Sequence, residues 1–154
     1  MANESCALLD LRLDSDEMLA ASNLLEDHHL DFQKIEGRKT DAGEWNISVV
    51  ADGEYIGVSA YGPWGWSLLS VNDHIYVCEG GPWSDLVDDK KPGKIFKATV
   101  ARIAELLSAP GWVFMTESLR DGLESHMGGQ DANTYEERLS WLRGQDSDER
   151  LMPG

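Results

Sequence analysis

The chain has 154 residues, with 28 Asp and Glu against 13 Lys and Arg, and a formal net charge of −15 at pH 7. Hydrophobic residues make up 42% and charged residues 27%, a one-domain globular composition that excludes a disordered or fibrous chain. No apolar run approaches the roughly 20 residues of a bilayer crossing, and Met1, Ala2, Asn3 and Glu4 open the chain without a basic or apolar leader, so a cytoplasmic protein with no membrane partner is expected.

The charge also sorts partners. Phosphate binding needs clustered Lys and Arg to release counterions. Here acids outnumber bases eight to one over residues 1–31, eleven to eight over 32–116 and nine to four over 117–154. Direct nucleic-acid binding is therefore not expected, and a basic protein partner is, its approach steered by the acidic ends. The plainer reading of the same charge is solubility. Cys6 and Cys78 are too few for a disulfide framework and lack C-x-x-C spacing. They fit a reducing compartment, and the sequence leaves open whether the two sulfurs meet.

Leu9, Leu11 and Leu13 alternate with Asp10 and Arg12, which predicts a half-buried strand beginning near Ala7. Asp14 or Ser15 then caps a helix with Asp16 and Glu17 in its first turn and Met18, Ala21 and Leu25 as its apolar stripe. The spacing of Leu30, Phe32 and Ile35 predicts a short strand that Gly37 ends, and residues 40–43 read as loop.

Two hairpins follow, closed by Asp52-Gly53 and Asn72-Asp73. In the first, Ala51 is expected opposite Glu54, which sets Val49 against Ile56, Ile47 against Val58 and Trp45 against Ala60 on one apolar face. In the second, Leu68 is expected opposite Val77, Ser70 opposite Ile75 and Leu69 opposite Tyr76; both faces are partly apolar, so this hairpin should be central. Residues 44–79 thus read as a four-strand antiparallel meander. Gly62-Pro63-Trp64 and Gly81-Pro82-Trp83 flank its open end, and the register brings Trp64 and Trp83 near one another with Trp66 a step inward. These rings either plug the end of the sheet or stand exposed as aromatic anchors of an interface.

Residues 84–93 read as a polar loop carrying Asp85, Asp88 and Asp89. Pro92 then opens a helix with Phe96, Val100, Ile103 and Leu107 on one face, which Pro110-Gly111 stops. The run Trp112–Met115 suits a buried strand added to the sheet. Leu119, Leu123 and Met127 mark a helix ending at Gly128-Gly129, and Thr134 with Glu137 makes a capping box for a last helix that Gly144 closes. The whole is an α+β fold, an antiparallel β-meander sheet packed by an amphipathic helix with further helices at the N- and C-terminal ends. It forms a single domain over residues 1–144 with a flexible tail over 145–154.

Chemistry is sparse. His28 and His29 are adjacent, which splays their rings apart on a helix end. His74 and Cys78 share a strand face but lie about 13 Å apart by strand rise, and His126 sits where a helix dipole favours a cation. No metal site and no cofactor is expected. Glu79, opposite Trp66, is either a buried acid with a raised pKa or a solvated strand end. Without G-x-S-x-G, P-loop or G-x-G-x-x-G motifs, no catalytic residue is assigned and the chain is not expected to be an enzyme. A dispersed active site in a deep pocket holding Glu79 or His74 is the enzyme alternative.

The stretch from Trp45 to Glu79, with its run Asp52-Gly53-Glu54-Tyr55-Ile56-Gly57-Val58, and the helix from Pro92 leading to Trp112-Val113 resemble the small acidic immunity proteins that bacteria pair with secreted toxins. The resemblance implies stoichiometric binding of a toxin's active-site face, often a basic nuclease or deaminase, by an acidic surface. Trp64, Trp66 and Trp83 are then the candidate anchors and Asp85, Asp88 and Asp89 the adjacent acidic loop. A secretion chaperone for an exported effector and a DNA-mimic inhibitor are the alternatives, and monomer and dimer both stay open.

Overall fold

The computed structural model describes residues 4–37, 46–52, 55–61, 65–127 and 134–152, of which 46–61 are described by their backbone. Four strands, β2 (Asn46–Asp52), β3 (Tyr55–Tyr61), β4 (Trp66–Val71) and β5 (His74–Pro82), form the expected antiparallel meander. The first strand of the chain, β1 (Glu4–Arg12), inserts between β5 and β6 (Trp112–Thr116), and a two-residue strand, β7 (Arg150–Leu151), pairs with β6. The order is β2-β3-β4-β5-β1-β6-β7. Burial explains the central place of β1: residues 5–9 are buried on both faces of the strand, as in a strand with neighbours on both sides and helices above and below.

The β4–β5 register places Leu68 opposite Val77, Leu69 opposite Tyr76 and Ser70 opposite Ile75, as the sequence predicts. Asn72 and Asp73 take φ of 50° and 67°, the left-handed pair of a hairpin turn that asparagine and aspartate tolerate. The β2–β3 register differs from expectation by two residues: Val49 faces Val58, Ile47 faces Ala60, and Asp52 faces Tyr55. A shift of two leaves every residue on its own face, so alternation alone does not discriminate against it. Trp45, Gly53, Glu54, Gly128, Gly129 and residues 40–43, named above, lie outside the described residues.

Helices cover both faces. Ala7, Leu9, Leu68, Ile75 and Val77 face one layer, made of α1 (Ser15–Asp27), α2 (His29–Glu36), α3 (Trp83–Val87) and α4 (Lys91–Leu106). Cys6, Leu8, Tyr76, Val113 and Met115 face the other, made of α5 (Glu117–Met127) and α6 (Tyr135–Arg143). Asp14 caps α1 through a reciprocal box, accepting from the Glu17 amide at 2.8 Å while its own amide donates to Glu17 Oε1 at 3.1 Å. Met18, Ala21 and Leu25 are its buried stripe. In α4 the buried stripe is Ile95, Phe96, Val100, Ile103 and Ala104, the strongest helical periodicity in the sequence.

Three expectations are corrected. Residues 29–36 form a helix, not a strand: Leu30 is 65% exposed, while Phe32 and Glu36, four apart, share the buried face. The Leu30–Phe32 alternation was a coincidence of one outward leucine, and Gly37 at φ 70° ends the helix. Trp83–Val87 is one short helix, where a loop was expected from Ser84 onward. After Gln145 the chain forms a 3-10 turn (Ser147–Glu149) and β7, where polar composition predicted a tail. Two groups hold it there: Leu151 packs against the sheet core, and the Trp83 indole N–H donates to the Asp148 carbonyl at 2.7 Å.

Candidate functional site

The α3–α4 corner is built by close approach. Gly93, in the first turn of α4, has no side chain because a Cβ there would stand 2.1 Å from the Asp85 carbonyl oxygen. The Lys90 amide donates to that same carbonyl at 2.9 Å, and Asp89 completes the reversal at φ 51°. Trp83 is thereby pressed into the core beside Leu86, 9% exposed, and its indole reaches the C-terminal turn.

The predicted site residues divide. Trp66 and Trp83 are core: Trp66 is 4% exposed and stacks at a tilt on Phe32, ring centroids 5.3 Å apart. Neither is an exposed anchor, because each ring completes the apolar layer between sheet and helices. Trp64 lies outside the described residues. Asp85 is half-buried with Lys90 Nζ at 3.9 Å, and Asp89 holds Lys97 Nζ at 2.7 Å, a contact that pulls the Asp89 carboxyl below the usual range. Asp88 is exposed and has no ion pair among the described residues.

What the structure adds is the partner of this corner. Trp83, Val87 and Asp88 on one side and Ser147, Asp148 and Leu151 on the other line a cleft of about 330 Å³. Val87 is 48% exposed at its rim, and Asp88 and Asp148 are both exposed. The one cation lining the cleft, Arg150, directs Nε to the Gln145 carbonyl at 3.4 Å and Nη2 to the Arg143 carbonyl at 3.2 Å, at the C-terminal end of α6. The cleft therefore brings the apolar side chains of Val87 and Leu151 together with two exposed acidic residues, Asp88 and Asp148, a lining suited to a Lys or Arg side chain with its aliphatic stem.

Glu79 is the second notable group. It stands opposite Trp66 and is 8% exposed. Burial, reinforced by the nearby Asp85 charge, pushes its carboxyl up to about 7. Glu79 Oε1 and Trp66 Nε1 have no hydrogen-bond partner among the described residues. None of the described clefts is lined by Glu79 or His74.

No family model, curated protein or solved structure matches the chain. His28 Nδ1 lies 3.2 Å from Asp31 Oδ2, His29 Nδ1 lies 2.9 Å from the Glu26 carbonyl, and His126 stacks on Trp141 at 5.8 Å. Among the described residues no group of three or more His, Cys, Asp or Glu is placed to hold a metal ion, and none of their helices is long and apolar enough to cross a membrane.

Two clusters had no signal in the sequence. Glu124 and Arg138 form a buried ion pair across α5 and α6, and Cys6 stands opposite Cys78 across β1 and β5. Only tertiary proximity makes either visible, since no spacing rule relates residues on separate elements.

Proposed function

We propose that this chain is an acidic protein-binding inhibitor that takes a basic protein partner, in the manner of an immunity protein that neutralises a bacterial toxin by stoichiometric binding. The carrying observation is the cleft lined by exposed Asp88 and Asp148 and half-exposed Val87, on a chain whose net charge is −15. Charge at this scale steers encounter with a cationic surface. A short apolar contact together with these carboxylates then gives a basic side chain a defined seat. With Trp66 and Trp83 committed to the core, Val87 takes over the anchoring role, and Asp148 replaces the lysine-paired Asp85 and Asp89 beside Asp88.

The test uses the full chain as bait in a lysate of its source at low and moderate salt, with mass spectrometry of whatever co-purifies. One basic protein in equal amount, released as salt rises, is the expected result. Exchange of Asp88→Asn together with Asp148→Asn should slow its association at low salt and leave the folded stability unchanged. Recovery of many unfolded export substrates would replace this reading with a secretion chaperone, and displacement of the partner by DNA would point to a nucleic-acid mimic.

A further inference from the structure

We propose that Cys6 and Cys78 form a reversible oxidation site, in which a hydroperoxide oxidises Cys78 and Cys6 closes a cross-strand disulfide. The two residues are direct partners in the antiparallel β1–β5 ladder. Opposed residues in such a ladder have Cα atoms about 4.5–5.5 Å apart, within the span that a disulfide bridges. Both are free thiols and both side chains point to the face covered by α5, where they interact directly.

Their environments assign different roles. Cys78 is partly exposed, and α5 aims Arg120 Nη1 at its sulfur from 3.1 Å. The neighbouring Cys6 thiol and the Arg120 guanidinium together hold the Cys78 thiol below its ordinary value, against desolvation and the Glu117 carboxylate. Arg120 also contacts Glu117 at 3.5 Å and Asp121 at 3.2 Å, and Glu4 of β1 lies beside Glu117, whose proximity raises the Glu4 carboxyl above its ordinary value. Cys6 is 1% exposed, and its S–H donates to the Met115 carbonyl at 3.5 Å; burial pushes this thiol well up. Cys78 is thus the accessible nucleophile and Cys6 the shielded resolving thiol.

The chemistry balances. The Cys78 thiolate attacks one oxygen of the hydroperoxide, the O–O bond breaks, Cys78 becomes a sulfenic acid, and the departing alkoxide or hydroxide takes a proton to leave as alcohol or water. The Cys6 sulfur then attacks the Cys78 sulfur. The S–O bond breaks, and hydroxide leaves with the Cys6 proton as water. Two thiols and one hydroperoxide give one disulfide, one alcohol or water, and one further water. An external dithiol reverses the bond by exchange.

Hydrogen peroxide at equimolar concentration is the probe, applied to the full native chain. The expected product has lost the mass of two hydrogens, maps to a Cys6–Cys78 peptide pair, and reverts with dithiothreitol. In the untreated protein, iodoacetamide should label Cys78 at least roughly tenfold faster than Cys6 near neutral pH. Arg120→Gln should move the midpoint of the Cys78 rate–pH profile upward and leave the alkaline plateau unchanged, a signature that a purely structural role for Arg120 would not produce. Cys6→Ser should halt the reaction at a Cys78 sulfenic acid that dimedone traps. Should that variant fail to fold, the wild-type mass and labelling measurements decide alone: sulfinic acid at Cys78 without a disulfide, equal labelling of both thiols, or no reaction would each overturn the proposal.

Discussion

Glu124 and Arg138 meet as a two-pronged ion pair, Nε to Oε1 at 3.0 Å and Nη2 to Oε2 at 3.1 Å, between α5 and α6 and against the sheet. Tyr76 donates to Glu124 Oε1 at 2.6 Å and Asn72 to Oε2 at 2.9 Å, so one carboxylate ties two helices to the β4–β5 hairpin. Although burial pushes the Glu124 carboxyl up, Arg138, Tyr76 and Asn72 hold it below the usual carboxylate range. Arg138→Met would leave that carboxylate buried without its counter-charge and should lower unfolding stability by about 3–5 kcal/mol. Replacing both partners together, Glu124→Leu with Arg138→Met, should recover most of the loss. Urea denaturation reads both; a loss below about 1 kcal/mol in the single variant would mean that the pair behaves as a solvated one.

Glu79 sets an opposite pH trend. Its carboxyl is raised from 4.5 to about 7 in the folded chain, so between those values the folded state binds more protons than the unfolded one. The stabilisation is complete below the unfolded value and disappears as pH rises through the folded one, with a span of up to about 3 kcal/mol. Glu79→Gln should flatten the unfolding free energy across this window and raise stability at mildly alkaline pH. Denaturation midpoints taken across the window check this, and an unchanged slope in the variant would show that another group titrates.

Gly93→Ala should be among the costliest single-carbon additions in the protein. The new Cβ meets backbone, the Asp85 carbonyl at 2.1 Å, which cannot rotate away as a side-chain tip would. Overpacking of this kind costs roughly 1–3 kcal/mol. A lowered melting temperature with the α3–α4 corner displaced is expected, and a neutral substitution would mean that the two helices sit farther apart.

Trp83 joins core and C-terminus, so two substitutions should separate its roles. Trp83→Phe keeps most of the ring but loses the 2.7 Å donation to the Asp148 carbonyl, and should cost about 1 kcal/mol while speeding amide exchange at Arg150 and Leu151. Trp83→Ala removes a buried side chain and should cost about 3–5 kcal/mol. If both variants lost equally little, the indole would be a surface group after all.

The sequence alone determined what depends on neighbours along the chain. The Asn72-Asp73 turn and the pairing Leu68–Val77 follow from two short apolar runs separated by residues that accept left-handed backbone, and the Asp14 cap and the α4 stripe follow from helical spacing. The net charge needs no structure at all. Tertiary contact decided the rest. Leu30 and Phe32 would share one face in a strand and point apart in a helix, and the packing of Phe32 on Trp66 with Leu30 turned outward goes with the helix. The β2–β3 register differs by two from the one expected, a shift that keeps every residue on its own side of the sheet, so alternation along the chain does not choose between the two. The place of β1 between β5 and β6, the meeting of Cys6 with Cys78, the burial of Glu124 with Arg138, and the pairing of Arg150 with Met115 all join residues remote in the chain. A short-range pattern records which face a residue turns, whereas the identity of what it meets is fixed by packing that the whole chain must satisfy at once.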